Sequence, residues 1–368
     1  MTRIKAAVCR EFGKPLVIET VNLRAPAAGE VEVTLDACAI CHSDISYAEG
    51  AWGGALPAVY GHEAAGRITA LGEGVRGLRQ GDTVLATLMR ACGSCPSCAA
   101  GAPAYCMTPD GRASGPLSTA DGGALEQGLS IGAFAERVVV DQSQVVTIPA
   151  DMPMAAACLL SCGVTTGVGS VVNTANVRPG QVVVVIGAGG VGLNVVQGAR
   201  IAGAARIIAV DLSEEKLDIA REFGATDGVL ATDPKPWKAA FRAAGGRGAD
   251  AVFVSVGAVA AYDDAPRYLA PRGRLVMVGM PHSGERAAYE PVIIAALGQG
   301  MLGAKMGEVV LARDIPWMVD LWRQGRLKLE ALVSGRWPLE RINEAIADTV
   351  SGAARRNVIL FDTGNTPS

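Results

Sequence analysis

The sequence has no excess of charge of one sign, no basic run, no aromatic-interleaved stripe and only three histidines. Its formal net charge of −3 gives no electrostatic reason to expect nucleic acid as a partner. It also lacks a long uninterrupted apolar run. The most apolar window, Val182 to Val196, is fifteen residues long and broken by four glycines, too short to span a bilayer. Met1 to Val8 carries Arg3 and Lys5, and no apolar stretch of signal-peptide length follows. Internal repeats and low-complexity tracts are absent. The expectation is a soluble, cytoplasmic protein with no membrane partner. What is present is core-forming material: half of the 368 residues are hydrophobic and 19% are charged. That composition excludes a disordered chain and suits two domains.

Residues 1 to about 160 read as β-rich with long loops. Val31, Val33 and Leu35 alternate with polar neighbours, and Val138 to Val140 follow Glu136 and Arg137. From about 181 strand and helix alternate. A continuous apolar strand spans Gln181 to Ile186, a helix Gly190 to about Ala202, and a second strand Ala205 to Val210, ending at Asp211. Ser213 caps the next helix, with Glu214 and Glu215 in its first turn and Gly224 at its end. Further strands are expected at Ala251 to Val256 and Arg274 to Val278. Repeated β-α-β units imply a parallel sheet covered on both faces, an α/β fold. From about 305 the pattern is mixed again, with an amphipathic helix at Leu339 to Val350 and a last strand at Val358 to Phe361.

Four of the nine cysteines fall within fifteen residues, Cys92, Cys95, Cys98 and Cys106, spaced C-x2-C-x2-C-x7-C. Four thiolates on one short lobe can close a tetrahedral zinc sphere, which leaves no room for substrate and makes such a zinc structural. A disulfide pair fits a reducing compartment poorly, while an iron–sulfur cluster also takes four cysteines. Most of the other five, Cys9, Cys38, Cys41, Cys158 and Cys162, need no role beyond packing.

Gly187-x-Gly189-x-x-Gly192 follows one strand and opens a helix, and Asp211 ends the next strand nineteen residues later. Glycines there allow a tight turn and the approach of a pyrophosphate to the helix N-terminus. Asp211 would accept hydrogen bonds from the ribose hydroxyls of NAD and repel the extra phosphate of NADP. The plain alternative is a glycine turn without a ligand.

A second set is dispersed: Cys41-His42-Ser43-Asp44, Gly61-His62-Glu63 and Ser161-Cys162-Gly163. Cys41, His62 and Cys162 offer two sulfurs and one nitrogen, a catalytic zinc set with one open position, and Asp44 could fix the His62 tautomer. Taken singly, each is more ordinary as a core thiol or a structural histidine, and spacing does not join them.

Together with Cys162-Gly163-x-x-Thr166-Gly167, these segments resemble, in order and over essentially the whole chain, the zinc-dependent alcohol dehydrogenases of the medium-chain dehydrogenase/reductase superfamily. The resemblance implies a GroES-like catalytic domain at 1–163 and 305–368, interrupted by a Rossmann NAD-binding domain at 164–304, with the active cleft between them. It implies two zinc ions per chain. Cys41, His62 and Cys162 would hold the catalytic one, with Glu63 behind it, and the four-cysteine lobe the structural one. Ser43 would pass the proton. Thr166 and Val278 would lie near the nicotinamide, Asp211 and Lys216 at the adenosine ribose, and His42 and Arg356 at the pyrophosphate. Read alone, Arg356 is equally a solvated surface charge.

The implied activity is reversible oxidation of a primary alcohol, medium-chain or aromatic, to an aldehyde, with hydride transfer to NAD and zinc favouring the alkoxide. Trp52, Leu88, Leu129 and Val278 would line an apolar pocket. The rivals are an S-(hydroxymethyl)glutathione (formaldehyde) dehydrogenase, for which Arg112 is a candidate anchor, and a non-catalytic NAD- and zinc-binding protein. A polyol dehydrogenase usually has glutamate where Cys162 stands. Ser46 replaces the histidine that ends the proton relay in many members, so the proton would leave through water, ribose hydroxyls or another group. The stretch from Met107 to Ala133 is long and rich in glycine (Gly111, Gly115, Gly122, Gly123, Gly128); tetrameric members of the family often shorten this region, so the resemblance implies a homodimer rather than a homotetramer.

Overall fold

The computed structural model describes residues 1–109 and 115–362; Gly111 and Arg112 lie outside them. The chain folds into two compact units. The first comprises Met1–Cys162, Val310–Arg323 and the stretch from Leu329 onward, and the second comprises Gly163–Val309 and Gln324–Lys328. Nothing in the sequence pattern signals the five-residue return at 324–328.

In the first unit, the strand Glu30–Ala39 is the hub. Along one edge it pairs antiparallel with Glu63–Leu71, and along the other with Arg137–Asp141 and then Arg356–Leu360. Two of the polar neighbours in its alternating pattern, Glu30 and Glu32, are buried like the valines, at 4% and 6% exposure. Both have partners that make this tolerable. Glu30 accepts from the Arg24 guanidinium and from Ala27 N, and Glu32 from Thr69 and Arg137. A five-stranded sheet built on Thr2–Cys9 and Val17–Leu23 completes the unit.

The last strand, Arg356–Leu360, comes from more than three hundred residues away and sets the register that matters. Val358 pairs with Ala39, and Ala39 pairs with Glu63. Ile40 N donates to Asn357 O at 2.9 Å. Continuing the three strands by two residues brings Cys41, His62, Glu63 and Arg356 to one end of the sheet. The strand is locked from behind. The buried Asn357 amide reaches Ala345 O (3.0 Å), Asp348 Oδ2 (2.8 Å) and Thr349 Oγ1 (3.0 Å), while its oxygen accepts from Trp337 Nε1 (3.0 Å). The helix expected from Leu339 begins with a 3-10 turn and becomes α-helical over Ile342–Ser351.

The second unit is a six-stranded, wholly parallel sheet. Its order is Asp227–Leu230, Arg206–Asp211, Val182–Ile186, Ala249–Val254, Leu269–Met277, Gly300–Gly303. Strand order reverses beside Val182–Ile186, which marks the ligand crevice of a doubly wound fold. Val182–Ile186 is buried throughout, as expected of a central parallel strand. Ser213 Oγ caps the helix Glu214–Phe223 by accepting from Lys216 N, and Gly224 ends it at φ 120°. No single helix among the described residues is long and apolar enough to cross a membrane.

Replacing Asn357 with alanine strands the Trp337 indole N–H, the Ala345 carbonyl, the Asp348 carboxylate and the Thr349 hydroxyl. It should lower stability by about 3 kcal/mol, read as a shift in denaturant midpoint at unchanged slope.

Candidate functional site

Three short elements present the first constellation. Cys41 closes the hub strand and caps the helix His42–Ala48, on which Asp44 sits one turn in. Gly61 and His62 precede the strand Glu63–Leu71. Gly61 has φ 91°, and a Cβ there would meet Phe134 N at 2.5 Å, so only glycine fits. Cys162 follows the 3-10 turn Cys158–Ser161, which is pinned to the strand because Ser161 Oγ donates to Ala64 O at 2.9 Å. The ligand atoms of Cys41, His62, Glu63 and Cys162 all lie within 4.8 Å of one another, and all four residues are buried.

Asp44 organises the set. Its carboxylate accepts from Cys41 N (3.1 Å), Gly61 N (2.9 Å) and His62 Nδ1 (2.7 Å). A carboxylate in this setting only accepts, so Nδ1 carries a proton, and Nε2 is the ring atom that faces the two sulfurs and would bind a metal in place of a proton. Nε2 is fully buried and has no hydrogen-bond partner. An orphaned ring nitrogen among thiols is what a metal ligand looks like. Glu63 is held by the Arg356 guanidinium, an ion pair closed to solvent. Arg356 is therefore no surface charge, and its observed partner is this carboxylate.

The electrostatics of the set follow from burial. Desolvation raises Glu63 to about 7 against the pull of Arg356. Burial pulls the Arg356 guanidinium down, but Glu63 and Cys41 outweigh it and the group stays charged. A hydrogen bond from Cys162 holds Cys41 well below the usual thiol range and pushes Cys162 well above it. A set of this kind, rich in acidic groups with one guanidinium, suits a dication that takes the place of protons. Two sulfurs and one imidazole fit zinc and leave one corner of a tetrahedron open.

The second set is the lobe of Cys92, Cys95, Cys98 and Cys106, half-buried, with sulfurs within 4.8 Å of one another. All four thiols are free, so no disulfide pairs them. A tetrahedral zinc–thiolate centre with bonds near 2.3 Å needs sulfurs about 3.8 Å apart, a single-ion spacing too tight for an iron–sulfur cube. Cys92 Sγ accepts from Thr108 Oγ1 (3.0 Å), Cys95 N (3.2 Å) and Ser94 N (3.4 Å). Those donors, Thr108 foremost, bring its thiol down to about 5.

In the second unit the glycine turn has distinct jobs for each glycine. Gly187 has φ 95°, and a Cβ there would meet Val256 Cγ1 at 2.4 Å. A Cβ on Gly192 would meet Gly187 O at 1.8 Å, so helix and turn pack only with glycine. A Cβ on Gly189 would meet nothing within 4 Å. Protein packing leaves that position open, which fits a backbone kept bare for a pyrophosphate. Asp211 accepts from Ala188 N (2.7 Å) and Ser213 N (3.2 Å), tying the second strand's end to the turn. Lys216 is half-buried on the following helix. Thr166 is buried, its hydroxyl 3.8 Å from Met306 Sδ, and Val278 is half-buried, its amide on Val254 O.

The remaining expected residues are dispersed on the first unit. His42 is exposed, and Ser43 is half-buried on the same first turn as Asp44. Leu88 and Leu129 pack on the main core. Trp52 meets Tyr47 edge-on at 5.1 Å. Sequence reasoning missed Ser161 and the pairing of Arg356 with Glu63. Neither has a local signal, since both depend on strand register.

Metal analysis should find two zinc ions per chain, one for each set. Cys162→Ala should retain one, and a single zinc in the wild type would contradict the two-site arrangement. Gly189→Ala should leave the melting temperature unchanged while weakening dinucleotide binding, followed by nicotinamide fluorescence. Gly192→Ala should lower both.

Two family models match the chain, an alcohol dehydrogenase GroES-like domain over residues 27–150 and a zinc-binding dehydrogenase domain over residues 190–323. Among solved structures it is similar to an alcohol dehydrogenase zinc-binding domain protein from Burkholderia ambifaria, at 35% identity over 98% of this chain and 99% of that one, with a TM-score of 0.93. It is also similar to the benzyl alcohol dehydrogenase of Acinetobacter calcoaceticus (29% identity, 98% and 100% covered, TM-score 0.92). An alcohol dehydrogenase of Thermus sp. ATN1 follows (25% identity, 97% and 99% covered, TM-score 0.82). Identity of 35% sustained over 98% of its length makes this chain a member of the zinc-dependent, medium-chain alcohol dehydrogenase family.

Proposed function

We propose that this oxidoreductase interconverts a primary alcohol, aromatic or medium-chain, and its aldehyde, using NAD. The observation that carries the reading is the convergence of Cys41, His62 and Cys162 around an unpartnered, buried Nε2. When bound, zinc would supply Lewis-acid stabilisation of negative charge developing on the alcohol oxygen, and NAD would serve as the hydride acceptor. Cys41, His62 and Cys162 hold the metal. Asp44 keeps the imidazole in the tautomer that binds it, and Glu63, restrained by Arg356, provides negative charge behind it. The Ser43 hydroxyl accepts the alcohol proton and hands it outward. No side-chain nucleophile is required.

The dinucleotide is assigned to the glycine turn of Gly187, Gly189 and Gly192, with Asp211 and Lys216 at the adenosine ribose and Thr166 and Val278 toward the nicotinamide. His42 and Arg356 are assigned to the pyrophosphate by the same reading. NAD is preferred to NADP on this reading, because a carboxylate ending the second strand of such a fold would accept from the ribose hydroxyls and repel a 2′-phosphate. The apolar character of Trp52, Leu88 and Leu129, which this reading assigns to the substrate pocket, and the similarity to a benzyl alcohol dehydrogenase support an aromatic or medium-chain substrate. A homodimer is proposed for the assembly. Gly300–Gly303 is an edge strand, and the segment before it exposes Tyr289, Val292, Ile293 and Leu297.

Absorbance at 340 nm with NAD⁺ and a panel of alcohols tests the reading. Activity should be highest with aromatic or medium-chain primary alcohols, and NADP⁺ should serve at least about tenfold less well. Asp211→Ser should narrow that cofactor gap, by roughly the 1–3 kcal/mol of a lost charge-assisted contact. An absolute requirement for glutathione with formaldehyde would instead assign the formaldehyde-dehydrogenase activity. Absence of turnover with two zinc ions bound would leave a binding protein.

A further inference from the structure

Gln144 is fully buried and lies outside every residue set described so far. It ends the 3-10 turn Gln142–Gln144, which Asp141 caps by accepting from Ser143 N at 2.9 Å. Its side-chain oxygen accepts from Asp141 N at 3.2 Å, which orients the amide. The amide nitrogen then points the other way and donates to two carbonyls, Thr87 O at 2.9 Å and Ser130 O at 3.0 Å. Every hydrogen the group owns is therefore used, on two segments far apart in the chain.

Those segments carry Leu88 and Leu129. Leu129 and Ser130 both sit in the left-handed region, at φ 54° and 60°. Side chains larger than glycine rarely occupy it and persist there only when the surroundings impose it. Two amides impose it here. Gln144 grips the Ser130 carbonyl, and Gln127 donates to Ile131 O (3.0 Å) and Val139 O (2.9 Å) on the other side of the turn. A one-residue grip of this sort fixes where the Leu129 side chain goes. It also fixes the distance from the 129–130 turn to the end of the Thr83–Thr87 strand, from which Leu88 projects.

We propose that Gln144 is a positioning residue for substrate selection: it clamps the 129–130 turn to the end of the Thr83–Thr87 strand and so sets the gap between Leu88 and Leu129. This rests on the reading of Leu88 and Leu129 as walls of the alcohol pocket. A clamp that acts through two walls changes how well a bulky alcohol fits and leaves the metal ligands alone. Its loss separates substrates by size, whereas loss of a merely structural contact slows all of them alike.

The test uses the full-length, zinc-loaded protein. The measured quantity is the ratio of kcat/KM for benzyl alcohol to kcat/KM for ethanol, in wild type, Gln144→Met, Gln144→Glu and Leu129→Ala. Gln144→Met keeps the volume and removes both donated bonds; Gln144→Glu turns a donor toward two carbonyls into an acceptor. Both should lower the ratio about tenfold, chiefly through KM for benzyl alcohol, since displacements near 1 Å reach effects of this order. Zinc content should stay at the wild-type value. A parallel loss for both alcohols, or an unchanged ratio while Leu129→Ala shifts it, would overturn the role of Gln144 and leave the pocket assignment standing. An unchanged ratio in Leu129→Ala as well would overturn the pocket assignment itself. Should neither full replacement fold, Gln144→Asn, one methylene short, reaches only one carbonyl. It should shift the ratio in the same direction by less, and no shift would again reject the clamp.

Discussion

Buried charge is the constraint on which the first unit is organised. Cys41, His62, Glu63, Asp44 and Cys162 are all closed to solvent within one cluster, and an unpaired ion there would carry a desolvation cost of several kcal/mol or more. The chain meets that cost with matched partners. Asp44 is satisfied by two backbone amides and the His62 imidazole, and Glu63 by the Arg356 guanidinium. The two thiols and the imidazole Nε2 face one another, an arrangement that suits a shared divalent cation. Arg356 reaches its place because the C-terminal strand returns to the hub with Val358 on Ala39. The tail of the chain is thus part of the site's electrostatics, and the split of the first unit into distant segments has a physical reason.

How much of this was legible depends on how local each signal is. The four-cysteine lobe spans fifteen residues, so spacing alone spoke for a four-thiolate metal site, with zinc favoured and an iron–sulfur cluster still open. The glycine turn was equally local. A strand, three glycines, a helix and Asp211 recur in one βαβ unit, and the structure adds that Gly187 and Gly192 answer to packing while Gly189 does not. The bond from His62 to Asp44 could be anticipated as chemistry, but not its companions to Cys41 N, which follows from Cys41 capping the helix His42–Ala48, and to Gly61 N, which comes from the turn before Glu63–Leu71. Cys162 was joined to Cys41 and His62 only by resemblance. Its placement depends on Ser161 Oγ meeting Ala64 O across ninety-seven positions, and no periodicity encodes that.

Other features were misread or invisible for a related reason. Alternation at 31–35 gives no warning that Glu30 and Glu32 are enclosed, because the burying partners, Arg24, Thr69 and Arg137, come from three other segments. The stretch from Met107 to Ala133 showed no period. Its described part contains only two-residue strands at Leu117–Ser118 and Glu126–Gln127 and a single 3-10 turn. Elements that short are specified by their partners rather than by their own composition.

The two kinds of support in this unit differ in what they permit. The metal ligands hang on strand register, and a slip of one residue would reverse the side of every neighbour in three strands at once. That position is over-determined and tolerates little change. The 129–130 turn is held by the amides of Gln144 and Gln127, against a backbone conformation that non-glycine residues disfavour. On the proposal that Leu129 lines the substrate pocket, changes at such a point would move one wall and leave the register intact. The metal set and the 129–130 turn are fixed by interactions that do not share residues, so on the proposed assignment a change at the turn would alter the substrate's surroundings without disturbing the metal ligands.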